Sequence, residues 1–211
     1  MPGKIQLKIK ELENITTPFY KLKEIVRRGW VDKLNLENPE TVASHTLLMI
    51  VLVLYFASNH SYSDKKKIRL IEMILVHDLA ESIIGDITPD SLKYKGKRDL
   101  ENKTFKEIMD KFPASNFKNR LNSSWEQFNT KSSCEAQLVH FIDKLEMIVQ
   151  GNYYLNNRNG VTKKQLQPFK DSTTWFLKNE PNLIEESKPL SSTTFEFDLN
   201  EIKEILAHLC K

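Results

Sequence analysis

The chain has 211 residues, of which 40% are hydrophobic, and this is enough apolar material for one folded domain with a proper core. Its 31 Lys and Arg residues against 28 Asp and Glu residues leave a net charge of +3, and the two signs are interleaved along the chain. A nucleic-acid-binding protein that relies on a broad basic surface is therefore not expected. The cysteines, Cys134 and Cys210, are far apart and indicate neither a disulfide framework nor a zinc ribbon.

Residues 1–17 contain no apolar stretch of the kind that forms a signal peptide, and we expect them to be an extended or weakly ordered lead-in. The longest apolar run extends from Leu47 to Ala57, which is too short to cross a bilayer. These patterns predict a soluble protein of a reducing, cytoplasmic compartment without a membrane partner.

Helix signals dominate the rest of the chain. A cap residue followed by proline marks two helix starts, at Thr17-Pro18 and Asn38-Pro39, and glycine marks two helix ends, at Gly29 and Gly85. The helices predicted from these signals span residues 18–28, 39–58 and 64–84. Apolar periodicity predicts later helices over residues 99–112, 116–128, 134–154, 163–177 and 199–208. The Ser/Thr-rich residues 188–198 predict extended chain or a loop. The predicted fold class is all-α, a helical bundle.

In one predicted helix, an apolar run is followed directly by two potential metal ligands, His77 and Asp78, and one turn later by Glu81. If the segment is helical, His77 and Glu81 share a face and Asp78 can reach the same point from the side. An uncompensated buried charge is costly, so this group favours a divalent cation as its partner. The alternative is a helix end whose polar residues face water. Asp86 supplies a further carboxylate, or is a turn former at the helix exit.

Two other predicted helices each carry one candidate ligand. His45 shares a face with apolar residues, where a core histidine with one satisfied hydrogen bond is the alternative. Asp143 interrupts the apolar stripe of helix 134–154, where a solvent-facing carboxylate beside a lysine is the alternative. Together with His77 and Asp78 they form a mixed nitrogen and oxygen set that suits Mn, Fe, Co, Ni or Zn. Such an ion makes water nucleophilic near neutral pH, with Glu81 as general acid or base.

The exit of the first predicted helix places Arg27 and Arg28 close to Trp30. Guanidinium groups beside a large ring can hold a phosphate and an attached ring, although a helix-ending arginine with a core tryptophan is the alternative. Residues 91–98 are polar and contain glycine, and they predict a mobile loop beside the His77-Asp78 site that could serve as a lid.

Four segments of the chain resemble the HD-domain metal phosphohydrolases, and within them the 5′-deoxynucleotidase branch that includes the HD domain-containing protein 2 family. The segments stand in the family's order and at similar spacings: RRGWV at 27–31, PETVASH at 39–45, LVHDLAESIIGDITP at 75–89 and EAQLVHFIDKLEMIVQGNYY at 135–154. The pattern HDxAExxxGDxxP is far more specific than a bare His-Asp pair. The resemblance covers roughly residues 18–178, so we expect a single HD domain over residues 18–180 after the lead-in 1–17. Residues 181–211 have no clear counterpart in the family, and we expect them to form a C-terminal extension packed on the same domain.

The resemblance also implies roles for individual residues. Glu81 corresponds to the family's catalytic glutamate and Asp86 to the aspartate that helps to orient water or substrate. Arg27, or Arg28 as the alternative, corresponds to the arginine that contacts the phosphate, and Trp30 to the tryptophan against the deoxyribose, whose bulk could exclude a ribose 2′-hydroxyl. The implied metal ligands, for an ion that could also be Mg, are His45, His77, Asp78 and Asp143.

The implied activity is metal-dependent hydrolysis of deoxyribonucleoside 5′-monophosphates to deoxynucleoside and phosphate, by a homodimer. Two alternatives stay open: a related phosphohydrolase acting on a cyclic nucleotide, a nucleoside triphosphate or another phosphomonoester, and a metal-binding interaction module that has lost catalysis. Retention of Glu81 and Asp86 weighs against the second alternative. Ser44 departs from the pattern, since many relatives carry an acid there, and this could change metal affinity or preference.

Overall fold

The computed structural model describes residues 2–59, 62–179 and 193–210, and within these ranges every regular element is a helix apart from one bridge between Val26 and Thr41. The predicted all-α class is confirmed. The helices are α1 (Pro2–Leu22), α2 (Arg28–Leu34), α3 (Val42–Asn59), α4 (Asp64–Val76), α5 (Glu81–Ile84), α6 (Lys97–Asp110), α7 (Asn116–Thr130), α8 (Cys134–Asn157), α9 (Lys163–Asn179) and α10 (Thr193–Leu209), with a short 3₁₀ helix at Leu92–Tyr94.

The N-terminal segment is helical, so the prediction of an extended lead-in was wrong. Pro18 lies inside α1 rather than at the first position of a new helix. Thr17 does not cap a helix, because its hydroxyl donates to the carbonyl of Glu13 one turn back, at 2.6 Å. Ile15 and Phe19 pack against the buried core that contains Leu22, and this packing stabilises the helix more than an exposed ion pair does.

Residues 25–27, which follow a turn at the end of α1, pair with residues 40–42 at the start of α3. The backbone N–H of Val42 donates to the carbonyl of Ile25 at 2.8 Å, and that of Arg27 donates to the carbonyl of Glu40 at 3.0 Å. This pairing ends α1 earlier than predicted, and Gly29 lies inside α2 rather than at a helix end. The sequence RRGW is thereby held against the start of PETVASH.

Helix α3 begins at Val42 rather than at Pro39. The hydroxyl of Thr41 accepts a hydrogen bond from the backbone N–H of Ser44 at 3.2 Å, so threonine rather than asparagine is the cap. Within the described residues, α3 is the helix that is long and apolar enough to cross a membrane by length and composition alone. Because 39% of it is buried, and core helices pass the same test, this is weak evidence for a membrane span.

The helix predicted over residues 64–84 is interrupted. Helix α4 ends at Val76, residues 77–80 form turns, and α5 begins at Glu81. The N–H groups of Leu79 and Glu81 donate to carbonyls three residues back, at Val76 and Asp78, each at 3.0 Å. This tight spacing directs the His77 and Asp78 side chains differently from those of a continuous α-helix.

The chain forms two compact units, each assembled from segments that are distant in sequence. The first comprises Met1–Thr46 and Leu75–Trp125, and the second comprises Leu47–Ile74 and Glu126–Lys211. In the first unit, Phe105 and Trp125 stack at 4.2 Å between ring centroids with an angle of 5° between their planes. They belong to a buried apolar core formed by Leu22, Val42, Val76, Leu79, Ala80, Phe105, Ile108, Met109, Phe112, Leu121 and Trp125.

In the second unit, α10 packs against α8 and α9. Phe141 and Phe176 meet edge to face at 5.0 Å, and Ile202 and Leu206 of α10 are fully buried. Helix α10 begins at Thr193, so the prediction of extended chain or loop is wrong over residues 193–198, while residues 188–192 lie outside the described residues.

Candidate functional site

Two histidines of the first unit lie close together in its interior. His45 is in the first turns of α3, and His77 is in the turn that follows α4. Both side chains are buried, their ring centroids are 5.5 Å apart, and a ring nitrogen of one lies within 4.8 Å of a ring nitrogen of the other. Two buried imidazoles at this separation are suitably placed to contact a common ion.

Asp78 adds a carboxylate to this pair, with its Oδ2 atom 3.0 Å from Nε2 of His77. Burial raises the pKa of Asp78, but the charges of His77, His45 and Arg27 and the hydrogen bond from His77 lower it further than burial raises it. The net pKa lies well below the usual value, so Asp78 is ionised. Two imidazoles and an ionised carboxylate form a donor set that fits a borderline divalent ion.

Glu81, at the start of α5, is 3% exposed, and its pKa lies well above the usual value. Burial is the main cause, and the carboxylates of Asp78 and Asp86 add to it, whereas Lys97 and Arg27 oppose the rise. A buried carboxyl group with a raised pKa can accept and return a proton near neutral pH, as general acid–base catalysis requires.

Arg27 and Arg28 point in different directions. The guanidinium of Arg27 lies 3.7 Å from Glu40 and 4.0 Å from Asp78. That of Arg28 is exposed and forms an ion pair with Asp32 on its own helix, at 2.8 Å. The geometry therefore places Arg27, and not Arg28, beside the His-Asp pair.

Trp30 is almost completely buried, with 1% of its surface exposed, and its indole N–H donates to Glu40 at 2.7 Å. Because so little of the ring is exposed, Trp30 offers little contact surface to a ligand in this conformation. Glu40 was missed from the sequence: its carboxylate lies within 4.8 Å of a ring nitrogen of His45. The signal that could have found it is an acidic residue in PETVASH, five positions before the candidate metal histidine.

Asp86 lies in the segment that follows α5 and contacts the start of α2. Its Oδ2 atom accepts a hydrogen bond from the backbone N–H of Arg28 at 2.7 Å, which satisfies a donor at the helix N-terminus. Four residues later Asp90 forms an ion pair with Lys33 near the other end of α2. Asp86 thereby fixes the chain after Glu81 to the helix that carries Trp30.

Lys97, the first residue of α6, was predicted only as part of a polar loop. Its ammonium lies 3.3 Å from Glu81, 3.3 Å from Glu101 and 3.1 Å from the carbonyl oxygen of Ile87. The available signal was the spacing of four between Lys97 and Glu101, which favours an ion pair on one helix face.

Asp143 belongs to α8 in the second unit. Its carboxylate is partly exposed and lies 3.3 Å from the ammonium of Lys144. His140, three residues earlier, stacks on Phe128 and has Nε2 3.1 Å from the carbonyl of that residue, and burial lowers its pKa to about 4. His140 is therefore a neutral packed histidine.

Residues 19–184 of the chain match the HD domain family. The chain is 37% identical over 155 residues to the 5′-deoxynucleotidase HDDC2 of Bos taurus, a match that covers 72% of this chain and 71% of the relative. It is 34% identical over 167 residues to the human protein of that name, covering 78% and 76% of the two chains. The 5′-deoxynucleotidase YGK1 of Saccharomyces cerevisiae is 33% identical over 152 residues, covering 70% and 67%.

The fold is also similar to that of a solved structure, a conserved hypothetical protein from Pyrococcus furiosus. The TM-score is 0.66 at 24% identity, over 93% of this chain and 99% of that one.

Proposed function

Because the chain belongs to the HD-domain family and to its branch of 5′-deoxynucleotidases, we propose that it hydrolyses deoxyribonucleoside 5′-monophosphates to deoxynucleoside and phosphate. One structural observation carries this proposal: His45, His77 and Asp78 converge inside one unit that also holds a buried carboxyl group with a raised pKa, Glu81. A metal-binding donor set and a proton-transfer group in one unit are what phosphomonoester hydrolysis needs.

The proposed metal ligands are His45, His77, Asp78 and Asp143. The spacing and chemistry of the first three support their part, and the resemblance of the segment around Asp143 to the family's last motif supports the fourth. When bound, a divalent ion supplies a Lewis acid that makes water nucleophilic and withdraws charge from phosphoryl oxygens. The ion could be Mn, Co, Fe, Ni, Zn or Mg.

Arg27 is proposed to bind the 5′-phosphate. Its guanidinium can present several donors to phosphate oxygens while Asp78 and Glu40 hold its direction. Trp30 is proposed to discriminate against the ribose 2′-hydroxyl. Since its ring is buried, the structure supports an indirect route, in which Trp30 fixes Glu40 and hence Arg27.

Glu81 is the proposed general acid or base, and Asp86 orients the groups around it. Glu81 can take the proton of the attacking water and return it to the leaving 5′-oxygen of the deoxynucleoside. Asp86 raises the pKa of Glu81 through its charge and ties the following chain to α2, so it acts on both the electrostatics and the geometry of the site.

The test is phosphate release from a panel of deoxyribo- and ribonucleoside 5′-monophosphates, with metal-stripped protein replenished separately with Mn, Co, Mg or Zn. We expect metal-dependent release from the deoxy series alone. Equal release from matched ribonucleotides would remove the proposed role of Trp30. No phosphate release from any monophosphate with any metal, combined with hydrolysis of a cyclic nucleotide or a triphosphate detected by chromatography of the products, would contradict the proposed substrate class.

A homodimer is also proposed, and an exposed apolar stripe on α3 supports it. Leu47, Val51 and Tyr55 recur every four residues and are 61%, 55% and 59% exposed. A second copy of the chain would bury these side chains. The proposed location is the cytoplasm, since the thiols of Cys134 and Cys210 are both free.

A further inference from the structure

Three oxygen atoms from different parts of the first unit surround the ammonium of Lys97. They belong to the carboxylates of Glu81 and Glu101 and to the backbone carbonyl of Ile87, all within 3.3 Å. An ammonium has three N–H donors and no acceptor, so this environment matches its full hydrogen-bonding capacity. The arrangement fixes the lysine head group and, through it, the Glu81 carboxylate.

Lys97 contacts Glu81 directly, with 3.3 Å between its ammonium nitrogen and the carboxylate. Arg27 directs its guanidinium to Glu40 and Asp78, whereas Lys97 forms an ion pair with Glu81 itself. Burial lowers the pKa of Lys97, but the carboxylates around it raise the pKa above its ordinary value, so the side chain stays charged. A buried carboxylate beside a fixed cation is restricted in both position and orientation.

Lys97 also closes the polar loop that follows the Gly85 turn. Its bond to the Ile87 carbonyl joins the two ends of residues 88–96, because Lys97 begins α6 directly after that loop. Ile87 is buried, which anchors the first end of the loop in the unit. A displacement of the loop would therefore move the ammonium that holds Glu81.

We propose that Lys97 is a positioning residue, which holds the Glu81 carboxylate in the orientation for proton transfer and makes this orientation depend on loop 88–96. The inference rests on the proposed function, since it assigns Glu81 the proton-transfer role. In this role Lys97 does not contact the substrate. It acts through its positive charge and through its contacts with Glu81, Glu101 and the Ile87 carbonyl.

The experiment compares Lys97→Gln, which keeps a donor for the Ile87 carbonyl but removes the charge, with Lys97→Arg, which keeps the charge. Lys106→Gln is the matched control, because Lys106 lies exposed on the same helix. For Lys97→Gln we expect kcat to fall about 10- to 100-fold, as misplacement of a catalytic group predicts, with KM nearly unchanged. Lys97→Arg should recover part of the loss, and Lys106→Gln should behave as wild type. A wild-type kcat in Lys97→Gln, or a loss confined to KM, would overturn the inference.

A second readout does not depend on turnover. Thermal unfolding of metal-free Lys97→Gln, Glu81→Gln and the double variant forms a double-mutant cycle. We expect Lys97→Gln to lower Tm in the wild-type background and to have a clearly smaller effect when Glu81 is already neutral. Additive effects would overturn the proposed coupling. Because this cycle needs no substrate, it separates a failure of the inference from a failure of the proposed 5′-deoxynucleotidase activity.

Discussion

The first unit holds a polar group of partly to fully buried side chains and an apolar group of buried side chains, and the two groups have opposite consequences for stability. The polar cluster, defined as Arg27, Glu40, His45, His77, Asp78, Glu81 and Lys97, places ionisable groups where water is scarce. The apolar core around Leu121 and the Phe105–Trp125 stack buries carbon against carbon. The cluster holds the proposed catalytic and metal-binding groups, whereas the core contributes apolar burial that stabilises the fold.

The free energies of burying apolar and charged groups explain why the two groups differ in their effect on stability. An aromatic stack such as Phe105 on Trp125 adds about 0.5–1.5 kcal/mol to the gain from burial. A buried ion in a protein costs several kcal/mol, and its partners recover this only if the geometry is excellent. Glu81 is the clearest case, because Asp78 and Asp86 oppose its ionisation while Lys97 favours it. Changes in the two groups should therefore have separable effects on activity and on stability.

The largest expected effect on activity is that of Glu81→Gln. Loss of a positioned general acid or base should lower kcat by about 10²- to 10⁴-fold. The free energy of unfolding should not fall, because the neutral amide removes repulsion from Asp78 and Asp86. The measurement is steady-state kinetics with urea unfolding, and Glu107→Gln on the exposed side of α6 is the control. Unchanged turnover would remove Glu81 from the mechanism.

The largest expected effect on stability is that of Leu121→Ala in the core. Leu121 is fully buried, and truncation of a buried leucine to alanine costs about 2–5 kcal/mol in the free energy of unfolding. The kcat of the folded fraction should stay at the wild-type value, since the proposed mechanism gives Leu121 no role. Leu121→Met, which conserves volume, should cost less than about 1.5 kcal/mol. A kcat loss as large as that of Glu81→Gln would break the separation between the two groups.

The smallest expected effect is a dependence of stability on pH. The pKa of Glu81 is raised above its ordinary value of 4.5, so above pH 4.5 the folded chain binds more protons at this site than the unfolded chain. The contribution of Glu81 to the free energy of unfolding therefore falls as pH rises through this window. In metal-free protein, the stability difference between Glu81→Gln and wild type should grow from pH 4.5 upward and then level off. A difference independent of pH would contradict the raised pKa.

The sequence selected most residues of the polar cluster as candidates, but it missed Glu40, Lys97 and the geometry of the group. Four dispersed polar residues in apolar helices were enough to select His45, His77, Asp78 and Asp143, and the structure brings the first three together in one unit. The turn at residues 77–80 was not predictable from the apolar run before it. Its hydrogen bonds join residues three apart instead of four apart, and over so short a stretch this leaves the helical pattern of apolar residues unchanged.

Contacts between residues that are distant in sequence were also not predictable from the sequence. The capping of α2 by Asp86, the pairing of residues 25–27 with 40–42, and the contacts of Lys97 each join positions that local propensity does not relate. The same applies to Glu40, whose importance lies in its contacts with Arg27 and Trp30. For α1, Ile15, Phe19 and Leu22 pack with core residues that are distant in sequence, and the loose apolar pattern of the segment did not reveal these contacts.

The most direct test of the central claim is calorimetric titration of Mn²⁺ into the metal-stripped protein. The polar cluster predicts one ion per chain for wild type and loss of that binding for His77→Asn, which removes one buried imidazole. His208→Asn, at an exposed histidine of α10, is the control and should bind as wild type does. Wild-type stoichiometry and affinity in His77→Asn would contradict the account, because the cluster would then not be the metal site.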